Sequence, residues 1–391
     1  MTIRDTPNVA LLIETSRGYG RQMLRGIVRY ARLHGPWGFY ITPGDFVQAL
    51  PQMQQWGGTG IIARIETQEI ADAILETGLP TIALDLTEEE LKPSHPLSKL
   101  SEVSSDSKAA ARMAAEHLLE RGFQNFAFVG NEERVWSKRR EKSFCEAIAE
   151  AGFKVNVYNS TRTCSCQNWG QDLPNLSAWL QSLPKPTGTL ACNDSRGRDV
   201  LEACRTAGIN VPEELAVVGV DNDELLCELA NPPLSSVAFN AEGTGYQAAA
   251  LLDRMMQQKQ LKPKRLKAKP LHVVTRRSTD IVAIADPDIS AALRFIHNHA
   301  TEPIQVEDVV RHLGISRRKL EVRFQQLIGR TLHAELHRVR MERARRLLAE
   351  TELPIPKIAE STGYSTPSYF IQVFRSEHDT TPAKYRRQLR D

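Results

Sequence analysis

The chain has 391 residues, of which 41% are hydrophobic, 25% charged and 6% aromatic, a balance that excludes a disordered or fibrous protein. At one to two hundred residues per domain, that length holds two or three units with their own cores. The net charge of +3 is unevenly placed: residues 288–391 carry 18 Lys plus Arg against 13 Asp plus Glu, leaving 32 against 34 in the body. A basic tail of this kind suits a polyanion partner.

In chain order, a polar start leads into an apolar run at 9–13 that is too short for a signal peptide. No aliphatic stretch approaches the ~20 residues of a membrane span. The expectation is a cytoplasmic protein without a membrane partner. Apolar runs at 9–13, 37–41, 60–63, 80–84, 125–129, 187–192 and 216–220 read as strands, and amphipathic segments at 20–33, 46–56, 106–121, 140–151 and 195–207 read as helices. Strands apolar throughout that alternate with helices predict an α/β architecture, with parallel sheets covered on both faces. Residues 8–279 exceed one comfortable core, so two such sheets side by side are expected.

Ligands of such sheets bind outside the carboxyl ends of the strands. Glu14, Thr15, Ser16, Arg17, Gly18, Tyr19, Gly20 and Arg21 follow the first strand. Asn193 and Asp194 follow 187–192, Asp221, Asn222 and Asp223 follow 216–220, and Arg140 opens the helix beyond 125–129. Carboxylates, an amide, an arginine and an aromatic together can grip vicinal hydroxyls and offer an apolar face to a sugar ring. Asn193 and Asp221 read equally well as turn or N-cap residues.

Catalytic chemistry has little support. The phosphate-loop, nucleophile-elbow, zinc-helix and dinucleotide fingerprints are all missing. Gly57-Gly58-Thr59-Gly60 precedes a strand and reads as a turn. His297, His299, His312, His333, His337 and His378 lie in the tail, away from the strand ends, which leaves no nucleophile and base pair. Cys145, Cys164, Cys166, Cys192, Cys204 and Cys227 are too scattered for a disulfide framework, and Cys164-x-Cys166 lacks partners at metal-ligand spacing. Neither metal, cofactor nor catalytic residue is expected.

Residues 283–288 (Ala-Ile-Ala-Asp-Pro-Asp) break the alternation and lead to an expected N-cap at Ser290. The expected organisation is an α/β body at 1–280, a linker at 281–289 and a helical domain at 290–391. That domain nearly repeats itself at an offset of 49: Val306 with Ile355, Val309 with Ile358, Val310 with Ala359, Gly314 with Gly363 and Ser316 with Ser365. Helix, glycine turn, Ser N-cap and second helix make a helix-turn-helix. Downstream the register slips by one, at Phe324 and Phe374.

In the first copy Leu320, Phe324 and Leu327 share one face, while Ser316, Arg317, Arg318, Lys319 and Arg323 supply polar and basic groups. A basic first turn opposes the helix dipole and calls for an external anion. In the second copy Ser365, Thr366, Ser368, Tyr369 and Gln372 are the polar candidates, of types suited to base-edge readout. A solvated helix face is the plain alternative for every one. The long arginine-rich helix at 333–350 is expected to hold the two readers about 34 Å apart, one turn of DNA.

Residues 290–387 resemble the double helix-turn-helix domain of the AraC/XylS family, through Ile358-Ala359, Gly363-Tyr364-Ser365, Tyr369-Phe370, Phe374 and the closing 380–386 (Thr-Thr-Pro-Ala-Lys-Tyr-Arg). Residues 8–279 resemble the sugar-binding core of LacI/GalR repressors and periplasmic binding proteins, through 216–222 (Ala-Val-Val-Gly-Val-Asp-Asn), 106–118 and 234–237 (Leu-Ser-Ser-Val). Those repressors carry their reader at the N-terminus, so the order here is swapped. Together with Tyr19, Arg21, Arg140-Glu141 and 276–279 (Arg-Arg-Ser-Thr), the combination is similar to xylose-responsive members of the AraC/XylS family.

The resemblance implies a D-xylose-dependent activator of pentose-catabolic genes. Its implied partners are double-stranded DNA, a monosaccharide, a second copy of the chain in a homodimer, and RNA polymerase. A repressor responding to another monosaccharide and a sugar-modifying enzyme with an appended reader are the alternatives. The resemblance carries Arg140, Asn193 and Asp221 over as sugar-gripping residues, puts Tyr19 and Arg21 in the first ligand loop, and makes Asp106 a hinge-side acidic position. Where the family often has a polar residue after 234–237, this chain has Phe239 beside Asn240.

Overall fold

A short apolar run buried on both faces is stable only as a strand inside a helix-covered parallel sheet, and the first two-thirds of the chain is built from such runs. The computed structural model describes residues 6–41, 44, 49–160, 169–257, 262–281 and 286–388. It divides into a unit at 1–281 and a second at 282–391. The first contains two six-stranded sheets. One is ordered β11-β5-β4-β3-β1-β2, from β1 (Asn8–Leu12), β2 (Gly38–Ile41), β3 (Gly60–Arg64), β4 (Thr81–Leu84), β5 (Ser101–Ser105) and β11 (Arg265–Ala268). The other is ordered β12-β10-β9-β8-β6-β7, from β6 (Asn125–Asn131), β7 (Val155–Ser160), β8 (Thr187–Ala191), β9 (Leu215–Asp221), β10 (Ser235–Phe239) and β12 (Pro270–Val274). All the pairings are parallel except β12 on β10, which is antiparallel.

Each sheet is the floor of a lobe. Helices α1 (Gly18–His34), α2 (Met53–Trp56) and α3 (Gln68–Thr77) belong to the first lobe, and α4 (Ser107–Leu119), α5 (Val135–Glu150), α6 (Trp169–Ser182), α7 (Asp194–Ala207) and α8 (Glu224–Leu229) to the second. The chain crosses between lobes after β5, β10 and β11, so α9 (Ala241–Gln257) returns to pack on α1 and the first sheet. Helices α1 and α9 touch at backbone level: a Cβ on Gly26 would lie 2.0 Å from the Glu242 carbonyl, and one on Gly245 would lie 2.1 Å from that of Met23. Only glycine allows that approach.

Several details depart from the sequence reading. Arg140 lies well inside α5, which starts at Val135. Of the helix expected at 46–56, α2 occupies Met53–Trp56, and 45–48 lie outside the described residues, as do Cys164, Cys166 and linker residues 282–285. Cys145, Cys192, Cys204 and Cys227 are free thiols. No described helix is long and apolar enough to cross a membrane.

The second unit is helical: α10 (Pro287–His299), α11 (Val306–Leu313), α12 (Arg317–Ile328), α13 (Leu332–Glu350), α14 (Ile355–Ser361), α15 (Pro367–His378) and α16 (Pro382–Gln388). Asp286, not Ser290, caps α10, accepting from the Asp288 and Ile289 amides, with Pro287 in the first turn. Helix α13 runs through both copies. Its Leu336 is buried, and its Met341, Ala344 and Leu348 pack with Ile358, Ala359, Phe370 and Phe374 of the second copy. Two arginines of α13 hold the fold: Arg340 is 7% exposed and donates to the carbonyls of Ala300, Glu302 and Ile304, and Arg338 pairs with Glu335.

Stability of the first unit should depend on one histidine. His117 of α4 is buried, with Nε2 2.9 Å from Thr279 Oγ1. Burial, with Arg121 beside it, lowers its pKa from 6.5 to about 3. The unfolded chain therefore takes up a proton near 6.5 that the folded chain refuses until about 3. The contribution is full above 6.5 and is lost as pH falls through that window, by up to about 1.4 kcal/mol per pH unit. His117→Gln should flatten this acid slope in urea denaturation at pH 7, 6 and 5. Parallel slopes for both proteins would show that His117 is not its source.

Candidate functional site

The carboxyl ends of the two sheets face each other across a cleft lined by Glu14, Arg17, Tyr19, Arg64, Asp85 and Ser105 from the first lobe and by Trp136, Arg140, Asn193 and Asp221 from the second. The rule that finds ligands at strand ends is thus met by both lobes. The cleft encloses only about 20 Å³, room for roughly one water. Two of its charged groups hold each other: Arg140 Nη2 donates to Asp221 Oδ1 at 3.2 Å.

Several lining groups are held from behind. Arg64 Nε and Nη2 donate to both oxygens of Glu14, at 3.1 and 3.0 Å, and Nη1 to Asp85 Oδ2 at 2.8 Å. Burial opposes the Arg64 charge, but Glu14 and Asp85 raise its pKa well above the ordinary value. Above this triad the Tyr19 hydroxyl is buried without a hydrogen-bond partner among the described residues. Burial and the Asp85 charge push its pKa up, so it is a neutral hydroxyl able to donate and accept. Arg140 also donates to the Cys192 carbonyl, while its guanidinium lies 5.1 Å from the Trp136 ring centre and 5.5 Å from that of Phe239, cation–π distances that fix its plane. Phe239 meets Tyr19 edge-on at 5.9 Å, so it buttresses the wall where a polar residue was the alternative.

Asn193 and Asp221 both line the cleft, and each also shapes the backbone around it. Asn193 Oδ1 caps α7 by accepting from the Arg196 amide at 2.9 Å, and the residue still lines the cleft. Asp221 ends β9 with φ 106°, a conformation rare for a residue with a side chain and usual at sites where geometry is forced. Burial raises its pKa, against the lowering effect of Arg140.

Asp194, Asp106 and Arg21 are not among the residues that line the cleft. Asp194 is 2% exposed and does not line the cleft; it accepts from the Asp223 amide at 2.7 Å and from the Ser236 hydroxyl, which holds the turn after Asp221. Burial and then the Asp221 charge raise its pKa to about 8. Asp106 caps α4 through the Ala109 amide. Arg21 ion-pairs with Asp223 at 2.7 Å, joining the first lobe to the second at the cleft rim. Arg17 with Ser195 at 3.2 Å, Arg134 with Glu66, and Arg139 with the Leu86 carbonyl at 2.8 Å bridge the lobes in the same way. Arg64 and Asp85 were readable by the same rule, since each directly follows a run taken as a strand, 60–63 and 80–84. Ser105 and Trp136 carried no such signal. Among the described residues no cluster of three or more His, Cys, Asp or Glu could hold a metal.

In the second unit the two glycine turns are not identical. Gly314 closes α11 with φ 64° and Ser316 caps α12, its Oγ accepting from the Lys319 amide. After Gly363 one more residue intervenes, so Thr366, not Ser365, caps α15 by accepting from the Tyr369 amide at 3.2 Å. That inserted residue is the cause of the one-residue slip between Phe324 and Phe374, both fully buried. Leu327 departs from the expected core face and is 45% exposed.

Arg318 and Lys319 on α12, and Ser365, Thr366, Ser368, Tyr369 and Gln372 around and on α15, are exposed. Arg317, also exposed, pairs with Glu307 and Glu321. Arg323 does not present a free charge: Nε donates to Asp286 Oδ2 at 3.0 Å and Nη1 to Asp288 Oδ2 at 2.7 Å. Two short helices with capped second members and exposed polar first turns are the geometry that enters a major groove.

Comparison with known proteins covers the whole chain. Residues 8–96 match the XylR N-terminal domain, 115–279 the periplasmic binding protein-like domain and 309–388 a helix-turn-helix domain. The chain is 36% identical over 382 residues to the xylose operon regulatory protein of Escherichia coli K12, spanning 97% of this chain and 96% of that one. It is 33% identical over 384 residues to the protein of that name from Haemophilus influenzae, spanning 97% of each. The solved structure of a xylose-binding transcription activator, xylR, superposes with a TM-score of 0.81 at 34% identity, over 98% of both chains.

Proposed function

The chain belongs to the family of xylose operon regulatory proteins, and on that premise we propose that it is a D-xylose-responsive activator of transcription, a DNA-binding regulator and not an enzyme. The reading is carried by one observation: the similarity runs unbroken through sensor and reader, over 97% of this chain. In this reading the pentose hydroxyls take over the Asp221 and Arg140 pairing, with Asn193 and the Tyr19 hydroxyl as further partners and Trp136 against the ring. The sugar stabilises the arrangement in which the lobes meet, and only that differential affinity can shift the protein. Exposed Arg318 and Lys319 contact phosphates and bases in one groove, and Ser368, Tyr369 and Gln372 read the next. The protein acts in the cytoplasm as a homodimer and recruits RNA polymerase.

Thermal unfolding with a panel of aldoses tests the sugar. D-xylose at a hundred times its dissociation constant should add about 2.7 kcal/mol, and Asp221→Ala should abolish that gain. No shift with any pentose would retire xylose as the effector. Transcription from the chain's own upstream promoter should rise with protein and D-xylose together. Repression by the protein, relieved by sugar, would reverse the sign of the proposal.

A further inference from the structure

We infer that Arg323 is a positioning residue which ties the first recognition helix to the point where the chain arrives from the sensor, and that sugar-dependent control of DNA binding passes through this tie. The inference rests on the reading above, that a sugar bound at 1–281 changes DNA binding by 282–391.

The geometry is specific. Asp286 is the N-cap of α10, the first helix after the sensor. Its Oδ1 accepts from the amides of Asp288 and Ile289, at 3.1 and 3.3 Å. Its Oδ2 takes Arg323 Nε at 3.0 Å and, closer still, Nη2, while Nη1 reaches Asp288 at 2.7 Å. One carboxylate therefore fixes the start of α10 with one oxygen and α12 with the other. Arg323 spans 37 residues of sequence to do so, and a planar guanidinium shared by two carboxylates fixes direction as well as distance. Any displacement delivered along the chain to Asp286 is handed to α10 and α12 together.

The neighbouring basic residues behave differently. Arg318 and Lys319 are exposed on the first turn of the same helix, and Arg317 pairs with Glu307 of α11 and Glu321 of its own helix, so neither ion pair reaches the start of the domain. Without the tie, α12 would keep its groove-facing residues and its buried Leu320 and Phe324, yet lose its most direct polar link to the incoming chain.

The test uses the full-length protein and its own promoter fragment, with affinity measured with and without D-xylose for wild type, Arg323→Gln, Asp286→Asn and the double variant. Asn still caps a helix, so Asp286→Asn removes the charge while α10 keeps its start, and it serves if Arg323→Gln fails to fold. The expected result is an unchanged D-xylose dissociation constant and sugar-free DNA affinity within about threefold of wild type. The with-to-without ratio should fall at least about fivefold, within the usual range of allosteric coupling, by the same amount in either single variant and no further in the double. A wild-type ratio in both single variants overturns the inference alone. Equal loss of DNA binding with and without sugar also overturns it, by making Arg323 a plain contact or structural residue. A wild-type protein whose DNA binding ignores D-xylose removes the proposed function, and the inference with it.

Discussion

Arg64→Met is expected to lower the stability of the sensor by about 3–5 kcal/mol, because it strands two buried carboxylates. Glu14 and Arg64 are 3% and 7% exposed, and Arg64 supplies the guanidinium on which both Glu14 and Asp85 are held. Met matches the stem of Arg and fills its space, so the loss is electrostatic and leaves little cavity. On a domain of this size the shift corresponds to a fall in Tm on the order of 10 °C. Adding Glu14→Gln and Asp85→Asn should recover most of it, since a neutral polar cluster no longer carries unpaired charge. Thermal and urea denaturation of the single and triple variants decide the matter. An Arg64→Met protein as stable as wild type would mean that water reaches the triad and that Tyr19 sits on a solvated floor.

Apolar runs declared the strands whose residues are buried on both faces, such as β3, β8 and β9, because desolvation leaves a chemical trace in the residues themselves. Strand β5 left none: Ser101-Glu102-Val103-Ser104-Ser105 is entirely buried, and its polar side chains find partners that the fold brings up, Ser101 accepting from the Lys264 amide at 3.2 Å. Glu102, for instance, accepts from the Leu86 amide at 3.1 Å. Strands β11 and β12 and helix α9 complete lobes begun more than a hundred residues earlier, which local alternation does not encode. Glu14, Tyr19, Asn193 and Asp221 were found at the cleft because the strand-end rule is local. Asp194 obeyed the same rule and turned inward, since the Asp223 amide and the Ser236 hydroxyl compete for it.

The helical unit gives the same lesson from charge. A basic residue on an amphipathic helix looks free until its acidic partner is brought up by the fold. Arg323 finds Asp286 and Asp288, and Arg340 finds three carbonyls of the α10–α11 connection. Arg318 and Lys319 stay exposed, as their position in the first turn of α12 suggested. The turn chemistry was legible at Gly314 and Ser316. It failed by one residue at Ser365, because capping depends on where the helix begins and Pro367 sets that start.

Gly18→Ala is expected to weaken D-xylose binding by about ten- to a hundredfold while leaving the sugar-free protein folded. Gly18 opens α1 in the first lobe. A Cβ built on it would lie 2.7 Å from Asp223 Cβ and 2.8 Å from Asp223 Cα in the second, closer than carbon atoms tolerate. Neither lobe alone is overpacked; only their approach is. The same edge carries the Arg21–Asp223 ion pair at 2.7 Å and the Arg17–Ser195 hydrogen bond at 3.2 Å, both stretched if the lobes stand apart to admit a methyl group. Overpacking of this kind costs about 1–3 kcal/mol, and charged to the sugar-bound arrangement alone it gives the stated loss of affinity. Gly26→Ala provides the contrast, since its Cβ would strike the Glu242 carbonyl within the first lobe and should lower stability with or without sugar. Calorimetric titration of D-xylose into each variant, beside its thermal unfolding, separates the two. Wild-type affinity in Gly18→Ala would show that the sugar is held without this edge closing, and control of the reader would then have to originate elsewhere in the cleft.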